Sequence, residues 1–313
     1  MSIYDRLAKS QPVQVSPAST SYFSEPTEDL DPFLFQGVSF RSNVRQQILS
    51  LVHAYLGDLF SDSQAWAKVW LAGSGVSHQW SAARNPGDLD CLIGVDWLSF
   101  RRANRDLAGL SDRELASYIN SHFRERLGVF QHDWNGYDLT MYVNPGGTDI
   151  RDIHPYAAFN LSDDRWDVEP DPHPEPPSDP AWAKDVAADA KRAAALTGRY
   201  NAALEQVQGS VNPAYRVSAS TTLRAASQEA IDLFDEIHEG RHAAFSSTGK
   251  GYGDWTNYRW QAGKASGAIE ALKRIKDDIS AATGQEQASL YGGAIASPQD
   301  SLIASAIGRR YRG

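Results

Sequence analysis

Two short segments alternate in the same way, and together they constrain the fold of this chain more than any other feature. In Gly87-Asp88-Leu89-Asp90-Cys91-Leu92-Ile93-Gly94-Val95-Asp96, a strand would place Leu89, Cys91, Ile93 and Val95 in one apolar row. Asp88, Asp90, Leu92, Gly94 and Asp96 would form the opposite row. In Tyr137-Asp138-Leu139-Thr140-Met141-Tyr142-Val143 the apolar row is Leu139, Met141 and Val143, facing away from Asp138, Thr140, Tyr142 and Asn144. Both strands open on acid. If they are neighbours in one sheet with their apolar rows on a common core, Asp88, Asp90 and Asp138 converge. Carboxylates that close repel unless a cation joins them, and hard oxygen ligands are what magnesium accepts.

The residues ahead of the first acidic strand supply a second half to this spot. Lys68 to Ala72 reads as a short apolar strand, and Gly73-Ser74-Gly75 follows it. Small residues there let exposed backbone N–H groups approach a phosphate closely.

Ala72-Gly73-Ser74, a loop, Asp88-Leu89-Asp90 opening an apolar strand, and a distal Asp138 together resemble the signature of the polymerase-beta-type nucleotidyltransferase superfamily. The likeness covers roughly residues 40 to 170, about one small domain. It implies an α+β fold, with a mixed twisted sheet flanked by helices and an α-helical C-terminal domain, as in oligoadenylate- and cyclic-nucleotide-synthase-like members. By resemblance, Asp88, Asp90 and Asp138 hold two Mg2+ ions, with Mn2+ as a substitute, while Gly73 and Ser74 grip the β- and γ-phosphates. The implied reaction moves a nucleoside monophosphate from a nucleoside triphosphate such as ATP to a hydroxyl, releasing pyrophosphate. The acceptor stays open between a second nucleotide, an RNA end, a protein and a small molecule. A non-catalytic nucleotide-binding or sensor module on the same fold is the alternative.

Two positions depart from the family pattern. His78-Gln79-Trp80 occupies the loop where many members carry a second small or basic motif, and Gly87 stands where a Ser often precedes the acids.

A formal net charge of −9 argues against a general nucleic-acid binder, which needs clustered Lys and Arg. The single cysteine, Cys91, falls on an apolar row and reads as core, which excludes an internal disulfide framework. No segment approaches the ~18 apolar residues of a membrane span, so the expectation is a cytoplasmic protein without a membrane partner.

Composition and periodicity divide the chain. Residues 1–30, rich in Ser, Pro, Gln and Thr, read as a loosely ordered arm, and 31–168 as the catalytic domain. Residues 169–180, EPDPHPEPPSDP, form a Pro-rich connector, and 181–313 a helical domain. Within the catalytic part a helix is expected from Ser42, another from the capping sequence Ser111-Asp112-Arg113-Glu114, and a hairpin turn at Asn135-Gly136. The helical part predicts three helices: one from Pro180, one over Ser220 to Phe245, and one from Thr256 to a stop at Gly284. The last carries Asn257, Gln261 and Lys264 on a polar stripe. Lys264 is the candidate triphosphate cation, with Arg259 as its alternative and Lys250 in the loop before. The basic tail Arg309-Arg310-Tyr311-Arg312 reads as an exposed terminus.

One competing motif is literal: His238-Glu239-Gly240-Arg241-His242 matches the H-E-x-x-H pattern of zinc peptidases. Gly240 weakens the helix that the pattern needs, and Arg241 would sit beside the cation.

Overall fold

The computed structural model describes residues 7, 10–17, 21–81, 87–129, 133–143, 150–246 and 248–291. The chain forms two compact units. Residues 21–175 make a sheet unit, while 176–291 together with the segment up to residue 17 make a helical unit. The division at Glu175 and Pro176 falls inside the Pro-rich stretch.

The sheet unit is α+β. After the small hairpin of β1 (Phe35–Gln36) and β2 (Ser39–Phe40), its main strands are β3 (Ala67–Ala72), β4 (Gly87–Val95), β5 (Asp133–Trp134), β6 (Tyr137–Val143), β7 (Ala158–Asn160) and β8 (Arg165–Val168). They form one mixed sheet in the order β5-β6-β4-β3-β7-β8, antiparallel throughout except where β4 and β6 run parallel. Helices α1 (Ser42–Gly57), α2 (Ser63–Trp66), α3 (Trp97–Ala103) and α4 (Asp112–Val129) complete it.

The apolar rows build the core. Leu89, Cys91, Ile93 and Val95 join Leu139, Met141, Val143, Val69 and Leu71 on one face of the sheet. That face packs on Val44, Ile48, Val52 and Leu56 of α1 and on Leu115, Ile119 and Phe123 of α4. At the start of α4, Ser111 N–H donates to Glu114 Oε2 (2.9 Å) and Glu114 N–H to Ser111 Oγ (3.3 Å), a reciprocal capping box. The β5–β6 turn has Asn135 at φ 54° and Gly136 at φ 87°, the left-handed backbone that a two-residue hairpin needs.

The helical unit consists of α5 (Pro180–Gly209), α6 (Pro213–Ala244), α7 (Trp255–Ala265) and α8 (Ala268–Tyr291). Leu196, Tyr200 and Leu204 meet Leu223, Leu233, Leu272 and Ile275 in its core. The second helix starts at Pro213 rather than Ser220. Asn212 caps it by accepting from Ala214 N–H (3.0 Å), but its first turns expose Tyr215 and Val217, so apolar periodicity begins only at Ala219.

The expected third helix is two helices, broken at Ser266–Gly267. Gly267 has φ 77°, and a Cβ there would lie 2.2 Å from the Ser16 carbonyl oxygen. The break is where the N-terminal segment crosses.

That segment is not a loose arm. Leu7 and Val13 are buried in the helical core. Val13 N–H donates to Asn201 Oδ1 (2.8 Å) and Asn201 Nδ2 donates back to the Val13 carbonyl (2.7 Å), so one side-chain amide imitates a ladder pairing. Residues 22–31 pack instead on the sheet unit, with Tyr22 and Leu30 buried. The tail at 309–312 lies outside the described residues. No helix among the described residues is long and apolar enough to cross a membrane.

Candidate active site

The parallel pairing of β4 and β6 sets Asp88 opposite Asp138, Asp90 opposite Thr140 and Leu92 opposite Tyr142. On the other side of β4, Asp90 pairs with Ala72 at the end of β3. All three candidate carboxylates therefore stand on the face opposite the apolar rows, at the end of β4 and β6 where both strands begin. Asp138 is exposed, and Asp88 and Asp90 are half-buried.

The Gly73-Ser74-Gly75 turn closes over this end of the sheet. Gly73 has φ 85°, a conformation that favours glycine, and a Cβ there would stand 2.8 Å from Asp90 Oδ2. A Cβ on Gly75 would lie 2.5 Å from the Asp88 carbonyl oxygen. Ser74 opens a short 3-10 turn whose carbonyl accepts from Ser77 N–H (3.1 Å) and Ser77 Oγ (3.0 Å).

Three carboxylates are the hard-oxygen donor set that a divalent magnesium-type ion takes, and Gly73 leaves the space beside Asp90 that any side chain would fill. Among the described residues no three His, Cys, Asp or Glu side chains already surround a common point. The backbone supplies something less finished. Neighbouring strands lie about 4.8 Å apart and alternate residues of a strand about 6.6 Å apart, so the three acids are within side-chain rotations of one another.

Further along the same face, Leu92 pairs with Trp70 and Trp70 with Asn160. Trp70 Nε1 donates to Asp167 Oδ2 (2.8 Å), as does Asn160 Nδ2 (2.9 Å). Burial works against the Asp167 charge, yet these bonds and Arg165 hold its carboxyl below the usual range. Asp163, which bonds Lys68 (3.2 Å), and Asp167 are thus tied into the sheet edge. Asn144 lies outside the described residues.

The candidate phosphate cations belong to the helical unit. Lys264 stands in the last turn of α7. Arg259 is committed elsewhere: its Nε and Nη2 donate to the Asp189 carboxylate (2.6 and 3.0 Å), and Nη1 lies 2.7 Å from Glu236 Oε1. It clasps α5, α6 and α7 together. Asn257 is fully buried and donates to the Tyr252 carbonyl (3.0 Å), which makes that part of the polar stripe structural. The backbone N–H of Lys250 donates to Asp254 Oδ2 (3.1 Å).

The H-E-x-x-H residues lie on α6. The His238 ring stacks on Phe234 (centroids 5.4 Å apart) and packs on Trp260 (5.3 Å), and the Arg241 guanidinium also lies over Trp260 (5.2 Å). Burial and then the positive neighbours His242 and Arg241 hold the His238 imidazole below its usual range. The two histidines serve an aromatic-cationic cluster, and among the described residues they belong to no group of three His, Cys, Asp or Glu side chains that could hold a metal ion.

Compared with protein-family models, curated proteins and solved structures, the chain matches none.

Proposed function

We propose that the sheet unit is the catalytic domain of a metal-dependent nucleotidyltransferase, which moves a nucleoside monophosphate from a nucleoside triphosphate to a hydroxyl. The observation that carries this reading is the register of Asp88 opposite Asp138, with Asp90 Oδ2 2.8 Å from where a Cβ on Gly73 would stand. An acidic pair, a third acid on the adjacent parallel strand and a glycine turn meet at one end of one sheet, the combination that the resemblance associates with attack of a hydroxyl on an α-phosphorus.

In this reading Asp88, Asp90 and Asp138 would together hold the Mg2+ ions. Bound there, the ions supply charge neutralisation at the phosphates and a more acidic attacking hydroxyl. The Gly73–Ser74 backbone and the Ser74 hydroxyl orient the β- and γ-phosphates. The acceptor oxygen, its proton passing to solvent, would then bond to the α-phosphorus as the bond to the bridging oxygen breaks, and pyrophosphate leaves. Positioning and charge placement do most of the work in such a transfer.

A non-catalytic nucleotide-binding module is the second reading, favoured by the fact that the acids do not already surround one point. Incubation with each ribonucleotide and Mg2+, followed by pyrophosphate assay and mass spectrometry, separates the two. Metal-dependent pyrophosphate release that Asp90→Ala abolishes supports catalysis. Nucleotide binding without release supports the module, and release that survives in the folded Asp90→Ala protein removes the site assignment.

A further inference from the structure

We infer that the segment Tyr22–Asp31 is a brace that positions the two halves of the carboxylate site, with Asp31 acting through Tyr137. The inference rests on the reading of Asp88, Asp90 and Asp138 as metal ligands.

At one end the brace holds the acidic hairpin. Tyr137, which immediately precedes Asp138, is the register partner of Gly87, which immediately precedes Asp88. The Tyr137 ring lies against Gly87, where a Cβ would stand 2.8 Å from its Cδ1, and Gly87 N–H donates to the Gly136 carbonyl (2.9 Å). The Tyr137 hydroxyl donates to Asp31 Oδ2. Asp31 is only 3% exposed, its Oδ1 accepts from Phe33 N–H (2.9 Å), and the Phe33 ring stacks on Tyr137 (5.4 Å). The position next to each register-paired carboxylate is therefore fixed by one contact chain, Asp31 to Tyr137 to Gly87.

At the other end the brace holds the loop after the glycine turn. Thr27 N–H and Oγ1 both donate to the His78 carbonyl (2.8 and 2.9 Å), and His78 Nδ1 donates back to the Thr27 carbonyl (2.8 Å). Gln79 Nε2 donates to the Tyr22 carbonyl (3.3 Å), and Trp80 Nε1 to the Asp29 carbonyl (2.8 Å). His78 follows Ser74 by one helical turn of sequence. The two places where the chain departs from the family pattern, Gly87 and His78-Gln79-Trp80, are thus tied to one segment. A serine at position 87 would meet the Tyr137 ring.

Outer partners that orient metal ligands change metal affinity by about 10- to 100-fold when removed. The test is Mn2+ binding to the full chain, followed by the electron paramagnetic resonance signal of free Mn2+ in the wild type, Asp90→Ala, Tyr137→Phe and Trp80→Phe. Tyr137→Phe keeps the ring on Gly87 and loses only the hydroxyl. Trp80→Phe removes the indole bond to the Asp29 carbonyl at the other end of the brace, so the inference does not hang on one variant's folding. The titration is run well below each variant's unfolding temperature, where lost stability alone leaves affinity unmoved. About tenfold weaker Mn2+ binding in both variants is the expected result. Wild-type binding that Asp90→Ala abolishes but the two brace variants leave unchanged overturns the brace alone. A wild type that does not bind Mn2+ overturns the metal-site reading and the brace with it.

Discussion

Gly73 and Asp90 are in contact distance across the turn: a methyl group on Gly73 would stand 2.8 Å from the Asp90 carboxylate oxygen, and the backbone there has φ 85°. Gly73→Ala is expected to cost about 1–3 kcal/mol, because the alanine must adopt a sparsely populated conformation and displace a half-buried carboxylate. Urea denaturation followed by tryptophan fluorescence measures it. A midpoint equal to the wild type's contradicts the close approach.

Asp88 and Asp138 face each other across a parallel pair, and like charges at such positions destabilise a sheet. With chelator present, Asp138→Asn is expected to melt at or above the wild-type temperature. Adding Mn2+ should raise the wild-type melting temperature and leave the variant's unchanged, since only a ligand bound to the folded state stabilises it. Differential scanning fluorimetry with and without Mn2+ decides this, and an equal metal-induced shift in both proteins counts against Asp138 as a ligand.

Asn201 bridges α5 to Val13 with two hydrogen bonds. Asn201→Ala leaves a backbone N–H and C=O unpaired beside the helical core, at a cost of about 1–3 kcal/mol. Removal of residues 1–17 is expected to cost more, since it also uncovers the sites of Leu7 and Val13. Circular dichroism at a helical wavelength during urea titration reports both, and a truncated chain as stable as the full one would show the strap to be dispensable.

Burial raises the Asp278 carboxyl above its usual range, and Asp277 adds to this against the opposing pull of Arg274. The folded chain therefore binds this proton more tightly than the unfolded chain does. Its contribution is fully present below the ordinary carboxyl value of about 3.9 and is lost as pH rises through the folded value. Asp278→Asn, which mimics the protonated form, should raise the urea midpoint near neutral pH and lose that advantage in acid. A gain of the same size at both ends of the range contradicts the burial of the charge.

Cys91 is fully buried beneath the sheet, and burial followed by the Asp90 charge pushes its thiol up to about 12. The thiol is expected to be inert to a disulfide reagent in the native chain and to react once in denaturant. Rapid native labelling measured by absorbance would place Cys91 outside the core.

Features that a few neighbouring residues decide were legible in the sequence. Asn135-Gly136 specifies its own turn through the left-handed dihedrals it tolerates, and Ser111 with Glu114 caps a helix from within a single turn. The break at Gly267 escaped the periodicity, because Ile269 and Leu272 continue the apolar stripe beyond it. The only local signal was the glycine itself, and the reason it is needed, Ser16, lies at the far end of the chain. Segment 22–31 was missed for a similar cause. Its hold on the site runs through backbone carbonyls and one buried acid whose partner is 106 residues away, and composition alone reads it as loose.

By itself, then, the sequence determined which residues share a face and which turns bend. Side-chain alternation and left-handed dihedrals are properties of adjacent residues, and they put Asp88, Asp90 and Asp138 on strand faces turned away from hydrocarbon. Only the tertiary structure decided that β4 and β6 lie side by side in parallel, so that Asp88 meets Asp138, and that the N-terminal residues are shared between two units. Those choices are made by contacts between residues far apart in the chain. Their free energy depends on which surfaces are left to be covered once every local element has formed.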